Sequence, residues 1–380
     1  MTDAFILEAV RTPMGKRKGA YSFIRPDDLA AQTLNGLMSR AGVAPGEVED
    51  VIMGCVTQVG EQGLNIGRTS VLAAGWPISV PGTSVNRMCA SGLQAMNMAA
   101  QAVMAGTMDL TVGAGVENMT RVGMGSDGGA ISEAIGDRFD VVGQGNSAEL
   151  ICEKYGFTRR ELDALAVESH TRALRAIDEG RFAREILPIT VPDPEGRPHV
   201  VTTDEGPRRG STLESVGSLK PAFKADGIVT AATSSQISDG SAAILIGSGA
   251  KADALGVRPR ARIRAMAVTG GDPTYMLLEP GPATKKALAK AGLTVQDIDL
   301  FEVNEAFAPV VLAWSRDTGA SLERTNVNGG AMALGHPLGC SGARLIVTLL
   351  HELERQNKQF GLATLCIGWG MAAATIIERV

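Results

Sequence analysis

Two parts of the chain repeat one another at a fixed distance, and this restricts the fold more than any other feature. Ala41-Gly42-Val43-Ala44-Pro45-Gly46-Glu47-Val48-Glu49 aligns with Ala291-Gly292-Leu293-Thr294-Val295-Gln296-Asp297-Ile298-Asp299, 250 positions later. Ser91-Gly92 and Ser341-Gly342 stand the same 250 positions apart, and each pair is expected to open an amphipathic helix. Matches that share one offset without a gap mark two copies of one unit, at about residues 1–118 and 259–380. In the first copy, Phe5–Val10 and Val51–Gly54 read as strands. Asp27–Ala41, acidic at its start and followed by Gly42, reads as a helix. Such alternation predicts an α/β fold with a mainly parallel sheet covered by helices. The residues between the copies, with Pro, Gly and Arg clustered over Pro188–Arg209, read as an insertion capping one copy. Asp226–Ala250 is expected to return to the first core as a loop and a buried strand, Ala242–Ile246.

Composition removes several function classes. Lys plus Arg number 36 against 41 Asp plus Glu, a net charge of −5, which lacks the basic excess of a nucleic-acid binder or a polybasic membrane face. The five cysteines are odd in number, widely spaced and without a Cys-x-x-Cys pair, so neither a disulfide framework nor a zinc ribbon is expected. The first residues lack the pattern of a signal peptide and Glu378-Arg379-Val380 is no peroxisomal address, so a cytoplasmic protein is expected. The 19 uncharged residues between Lys358 and Glu378 hold three glycines and read as two buried strands joined by a turn, not as a membrane span. Glycine is in excess at 46 of 380 residues while aromatics are 4%, which points to close backbone packing.

Four local patterns could carry chemistry. Ser84–Ala95 is a strand-to-helix junction with Cys89 at the turn. A thiol there meets the positive end of a helix dipole and free N–H groups, which lower its pKa and can hold an oxyanion. Taken alone, Cys89 between Met88 and Ala90 reads more readily as a core residue than as a nucleophile. At the repeat offset Asn86 corresponds to His336, inside Gly335-His336-Pro337-Leu338-Gly339, so a histidine falls near the place where the first copy has its cysteine. His170, His199 and His351 are read as solvated. Asn304-Glu305 follows the strand Leu300–Val303, where open α/β sheets put their sites; a helix cap is the competing reading. Cys366 stands near the end of an apolar strand, before Gly368 and Gly370. Cys55, Cys152 and Cys340 are read as structural.

In these motifs, taken in order, the chain resembles the thiolases, over essentially its full length. The resemblance rests on Val85–Gly92, Asn304–Ala308, Gly335-His336-Pro337 through Ser341–Arg344, and Cys366-Ile367-Gly368. It implies a five-layer αβαβα sandwich of two similar halves with an inserted loop domain. The halves would be 1–118, completed by about 226–258, and 259–380; the loop domain, 119–225, would cover coenzyme A. The implied activity is reversible Claisen condensation of acyl-CoA with acetyl-CoA, or thiolysis of 3-ketoacyl-CoA. No metal and no prosthetic group is implied, coenzyme A and acyl-CoA being substrates, and a homodimer or homotetramer is expected.

Carried over by position, Cys89 would take up the acyl group and His336 would deprotonate it and lend its ring N–H to an oxyanion hole. Asn304 would hold the water completing that hole. Cys366 would move the α-carbon proton, and the N–H groups of Cys89 and Gly368 would form a second hole. Arg208 would lie near the adenosine end of coenzyme A, with Arg209 adjacent, and Ser235 along the pantetheine. Two departures bear on the acyl pocket: Trp369 and Ala372 replace glycines, and Gly143-Gln144 replaces bulkier residues. Trp369 would point either into the pocket or away into packing. A ketoacyl-carrier-protein synthase would carry a histidine in place of Cys366, and a lipid carrier on the same fold would not need all four polar residues.

Overall fold

A computed structural model describes residues 2–380. The first copy runs β1 (Ala4–Arg11), β2 (Gly15–Lys16), α1 (Pro26–Ala41), β3 (Asp50–Gly54), α2 (Ile66–Ala73), β4 (Gly82–Val85), α3 (Ser91–Met104) and β5 (Leu110–Asn118). The middle segment holds α4 (Glu133–Gly136), α5 (Gln144–Tyr155), α6 (Arg159–Asp178), β6 (Ile189–Pro192), β7 (Pro198–Val201) and α7 (Leu213–Gly217). The chain then returns through β8 (Ser238–Ser248) and α8 (Gly249–Leu255). The second copy runs β9 (Ala261–Gly270), α9 (Pro280–Ala291), β10 (Leu300–Val303), α10 (Ala308–Thr318), α11 (Ala331–Leu334), α12 (Leu338–Gln356), β11 (Phe360–Ile367) and β12 (Met371–Arg379).

The repeat is visible in the backbone. Both α1 and α9 stop at a left-handed glycine, Gly42 at φ 66° and Gly292 at φ 67°, and a short 3₁₀ turn then leads each into its strand. The second helix pair departs slightly: α3 opens at Ser91, whereas α12 opens at Leu338, so Ser341 lies inside its first turn.

Strands run in the order β10-β11-β12-β9-β1-β8-β5-β3-β4, with β2 paired to β8. The sheet is mixed, and the expectation of a mainly parallel one fails. Only β3–β4, β3–β5 and β10–β11 pair parallel. β12 follows β11 through a tight turn and must run antiparallel to it, and β8 enters antiparallel between β1 and β5.

Alternation along the strands feeds three apolar layers. On β8, Ala243 and Leu245 face α1 and α2, while Ala242, Ile244 and Ile246 face α3 and α12. On β12, Ala373 and Ile377 join α3 and α12, while Ala372, Ala374 and Ile376 pack with Ala283, Ala287 and Trp314 of α9 and α10. Helices, sheet, helices, sheet, helices: the chain makes five layers with α3 and α12 in the middle. α12 is buried along most of its length, which corrects the reading of His351 as solvated. His170 on α6 is buried as well, while His199 is exposed as expected. On local sequence each histidine had polar neighbours on its helix; the burial comes from elements distant in the chain.

The middle segment is tied to the core by an ion cluster. Arg11 is fully buried and donates from Nε to Glu185 at 2.6 Å and from Nη1 and Nη2 to Asp204 at 2.6 and 3.0 Å. Asp204 also accepts from the Met14 N–H at 2.7 Å. Removing the cation leaves two buried carboxylates without their partner. We predict that Arg11→Met loses about 3–5 kcal/mol in urea unfolding, and that adding Asp204→Asn to it restores part of that. A loss below about 1 kcal/mol, the range of an exposed pair, would overturn this view of the cluster.

Candidate active site

The N-terminal ends of α3 and α12 meet at one cavity, lined by Cys89, His336, Cys366, Trp369, Ser235 and Arg208 among others. The backbone brings Cys89 there by a sharp turn. Met88 takes φ 45°, and Ser91 Oγ both donates to the Met88 carbonyl at 2.6 Å and accepts from the Arg87 N–H at 2.9 Å. The thiol thus sits just before the first turn of α3.

Burial outweighs the helix dipole. The Cys89 thiol is pushed up to about 11 by desolvation, against the downward pull of the backbone N–H groups of Gly368 and Cys89 itself. The expectation of a lowered pKa in the resting protein is therefore not met, although the N–H groups that would lower it are in place. Cys366 is fully buried and pushed up first by desolvation and then by Cys89. Cys340 and Cys152 are raised to about 12 by burial, and Cys55 is raised as well, in keeping with packing roles.

His336 is positioned from three sides. Its backbone N–H donates to Gln236 O at 3.1 Å and to Ser238 Oγ at 3.3 Å. Its Nδ1 lies 2.6 Å from Ser341 Oγ, and Ser341 donates its own hydrogen to Pro337 O at 2.9 Å. Ser341 Oγ can then only accept, so Nδ1 carries the ring proton and the Nε2 lone pair is left to accept from the Asn304 amide. Asn304 Nδ2 lies 3.3 Å from that Nε2, and Asn304 Oδ1 is buried without a partner. Desolvation, and then the Arg344 guanidinium, hold the His336 ring down at about 3, so it is neutral at any ordinary pH.

Asn304 reaches the site because the segment after β10 packs on the loop before β8. Ser235 N–H donates to Ala306 O and Ala308 N–H to Thr233 O, both at 2.9 Å. Glu305 points away into the core and accepts from Ser169 Oγ at 2.6 Å and Asn326 Nδ2 at 2.9 Å, so it serves packing. Arg208 is exposed, and among the described residues no carboxylate pairs with it; its N–H donates to His170 Nδ1 at 3.1 Å. Arg209, by contrast, is paired with Asp178 at 3.0 Å, so the expected pair of free arginines reduces to one. A Cβ at Gly368 would stand 2.8 Å from Met88 Sδ, so the Met88 side chain would have to shift to admit one.

Sequence reading passed over Ser341 and Glu117. Glu117 is buried on β5 and accepts from Val56 N, Thr57 N, Gln62 Nε2 and Gly339 N at 2.8–3.0 Å, binding the first turn of α12 to the other half. A carboxylate directly after the uncharged run Leu110–Val116 was the available signal.

A cysteine and a neutral histidine with its lone pair on Nε2, a second cysteine and two N–H groups aimed at the first thiol suit acyl transfer through sulfur. Residues 4–250 match the family model for the N-terminal domain of thiolase and residues 257–379 that for the C-terminal domain. The chain is 44% identical to a 3-ketoacyl-CoA thiolase of Bacillus subtilis, and 43% identical to an acetyl-CoA acetyltransferase of Pseudomonas aeruginosa, each over the whole of both chains. A steroid 3-ketoacyl-CoA thiolase of Mycobacterium tuberculosis is 44% identical over all of this chain and 95% of its own. The crystal structure of a Bacillus anthracis acetyl-CoA acetyltransferase superposes with a TM-score of 0.93 at 39% identity, covering 100% of this chain and 99% of that one. The chain belongs to the thiolase family. It is an acyl-CoA C-acyltransferase, and neither a carrier-protein synthase nor a lipid carrier is favoured.

Because only the thiolate is nucleophilic and the free thiol titrates near 11, we predict that alkylation of Cys89 by iodoacetamide accelerates steadily with pH. The rate should rise about tenfold per unit through the neutral range, followed by intact mass against Cys89→Ser. A plateau already reached near neutrality would mean a preformed thiolate–imidazolium pair instead.

Proposed function

We propose that the protein cleaves and forms 3-ketoacyl-CoA by a two-stage exchange through Cys89. In the cleavage direction His336 Nε2 takes the Cys89 proton and the thiolate attacks the 3-keto carbon. The C2–C3 bond then breaks, its electron pair goes to C2 of the departing acetyl-CoA enolate, and Cys366 supplies the proton that completes acetyl-CoA. Coenzyme A gives its thiol proton to the Cys366 thiolate and its sulfur attacks the acyl-Cys89 thioester; the C–S bond to Cys89 breaks, His336 returns its proton to the departing Cys89 sulfur, and shortened acyl-CoA is released. Condensation is the reverse.

The single observation that carries this reading is the neutral His336 with Nδ1–H held by Ser341, which leaves Nε2 as a base in the cavity that Cys89 and Cys366 share. Once protonated, Nε2–H becomes a donor to the enolate oxygen, and the unpaired Asn304 Oδ1 fits the water assigned to complete that hole. The N–H groups of Cys89 and Gly368 would serve the thioester oxygen at Cys89. The names of the relatives, 3-ketoacyl-CoA thiolase and acetyl-CoA acetyltransferase, agree with both directions.

Residues 119–225 act as the coenzyme A-covering domain, inserted before the first half (1–118) is completed by about 226–258; the second half is 259–380. In support, no strand of the middle segment joins the main sheet, and Gly143, Arg208 and Phe223 line the cavity. Arg208 takes the adenosine end and Ser235 the pantetheine. The reaction calls for no prosthetic group. A cytoplasmic homodimer or tetramer is the assembly we favour. β4 is a free sheet edge, and Leu64, Leu72 and Ile78 beside it are exposed; among the described residues no helix is long and apolar enough to cross a membrane.

Intact mass after mixing with acetyl-CoA should show one acetyl group, absent in Cys89→Ser. Cys366→Ala should still take up the acetyl group yet fail to make or cleave the carbon–carbon bond, while His336→Ala should lose both steps. Acetylation persisting in Cys89→Ser, or lost equally in all variants, would overturn the assignment of roles.

A further inference from the structure

The turn between β11 and β12 contains a conflict between sequence and backbone. Trp369 has φ 66° and Gly370 φ 77°, successive left-handed residues of the kind for which Asn-Gly or Gly-Gly is the usual pair. An indole in that conformation is strained, since its Cβ crowds the backbone there. It is also 38% exposed, so part of the ring is left uncovered by the fold. Trp369 lines the cavity that contains Cys89 and Cys366.

It has company there. Met124, Ile131 and Phe223 line the same cavity and are 58%, 49% and 43% exposed. These four large apolar side chains come from three separate segments and border one space beside the nucleophile. Large apolar surface gathered in this way marks a binding site. The cavity, about 1740 Å³, runs from Arg208 and Ser235 to Trp369 and has to hold coenzyme A as well as the acyl group. At Gly143, also on its lining, a Cβ would meet nothing within 4 Å. Apolar walls set apart around open space suit a broad group better than a thin chain.

Resting on the thiolase reading, we infer that the acyl part of the substrate is broad and apolar, ring-bearing or branched, and that Trp369 is the residue that sets this preference by covering one face of it. A flat ring against an indole face buries apolar area on both sides and favours offset or edge contacts. Acetoacetyl-CoA, whose acyl end is a methyl group, would leave this surface wet.

The test compares kcat/KM for thiolysis of acetoacetyl-CoA, 3-oxooctanoyl-CoA and 3-cyclohexyl-3-oxopropanoyl-CoA. The wild type should prefer the ring-bearing thioester over both others by about tenfold or more, the discrimination that a few apolar contacts provide. Trp369→Gly should lower the ratio of ring-bearing to acetoacetyl rates about tenfold, and Trp369→Phe should keep it within about threefold. Glycine takes the left-handed conformation freely, so Trp369→Gly should melt at or above the wild-type temperature. A ratio unchanged in Trp369→Gly, whether or not its melting temperature falls, would overturn the inference, as would wild-type preference for 3-oxooctanoyl-CoA. Intact mass separates the two levels of argument. An acyl group on wild-type Cys89 with an unchanged ratio sinks the Trp369 role alone, whereas neither adduct nor thiolysis with any substrate sinks the thiolase reading with it.

Discussion

The site depends on backbone meeting backbone between the two halves. A Cβ at Gly92 on α3 would stand 2.6 Å from Gly339 O, and one at Gly342 on α12 would stand 2.3 Å from Leu93 N. Gly115 on β5 faces Gly339 O, where a Cβ would come within 2.1 Å, and Gly54 faces the Ser91 carbonyl carbon at 2.3 Å. Backbone cannot step aside as a side chain can, so any larger residue at these points would push the helices apart. Because nothing larger is there, the first turns of α3 and α12 lie against each other, and the residues just before them, Cys89 and His336, share one cavity. Glu117 strengthens the same contact by accepting the Gly339 N–H from across the halves. The glycine excess and aromatic shortage of the composition are the chain-level trace of this packing.

A second consequence is that Cys89 and His336 rest buried and uncharged. Burial raises both thiols and lowers His336, so proton transfer from Cys89 to Nε2 creates charge where there was none. The protein meets that charge with groups fixed in advance: two N–H groups at the thiol, and an imidazole whose tautomer Ser341 sets. Dipoles that need no reorientation are worth most where the dielectric is low. A permanently ionised thiolate would have to be desolvated in this cavity before any substrate arrived, whereas a neutral pair pays nothing until reaction.

Much of what was legible in the chain is local or repeated. The strands at β1, β3, β8 and β10 and the β11–β12 hairpin rest on pattern within short windows, the nearness of Cys89 and His336 on the 250-residue repeat, and the place of Cys366 in the same cavity on the resemblance to the thiolases. The sheet direction was misread because β8 returns after the middle segment and slots between β1 and β5, a pairing that alternation along the first copy does not encode. His170 and His351 were misread because their burial comes from other elements. The thiol of Cys89 was expected to be acidified because a helix start is visible in sequence while the depth of burial is not. Arg209 seemed free for a phosphate until Asp178, 31 positions earlier, came to lie against it.

Trp369 shows how chemistry constrains sequence at such a site. The turn that holds it must deliver the Gly368 N–H to Cys89, and its far side is closed, since a Cβ on Gly370 would stand 2.6 Å from Gly271 O. The β11–β12 register, with Ile367 opposite Met371, fixes the turn from both ends. The backbone at position 369 is therefore set by the Gly368 N–H on one side and the hairpin on the other, and a residue placed there has to accept φ near 66°. Glycine would accept it without strain; tryptophan does so with strain and with 38% of its surface exposed. Because Trp369 lines the cavity, an acyl group there can cover the part of the ring that the fold leaves open.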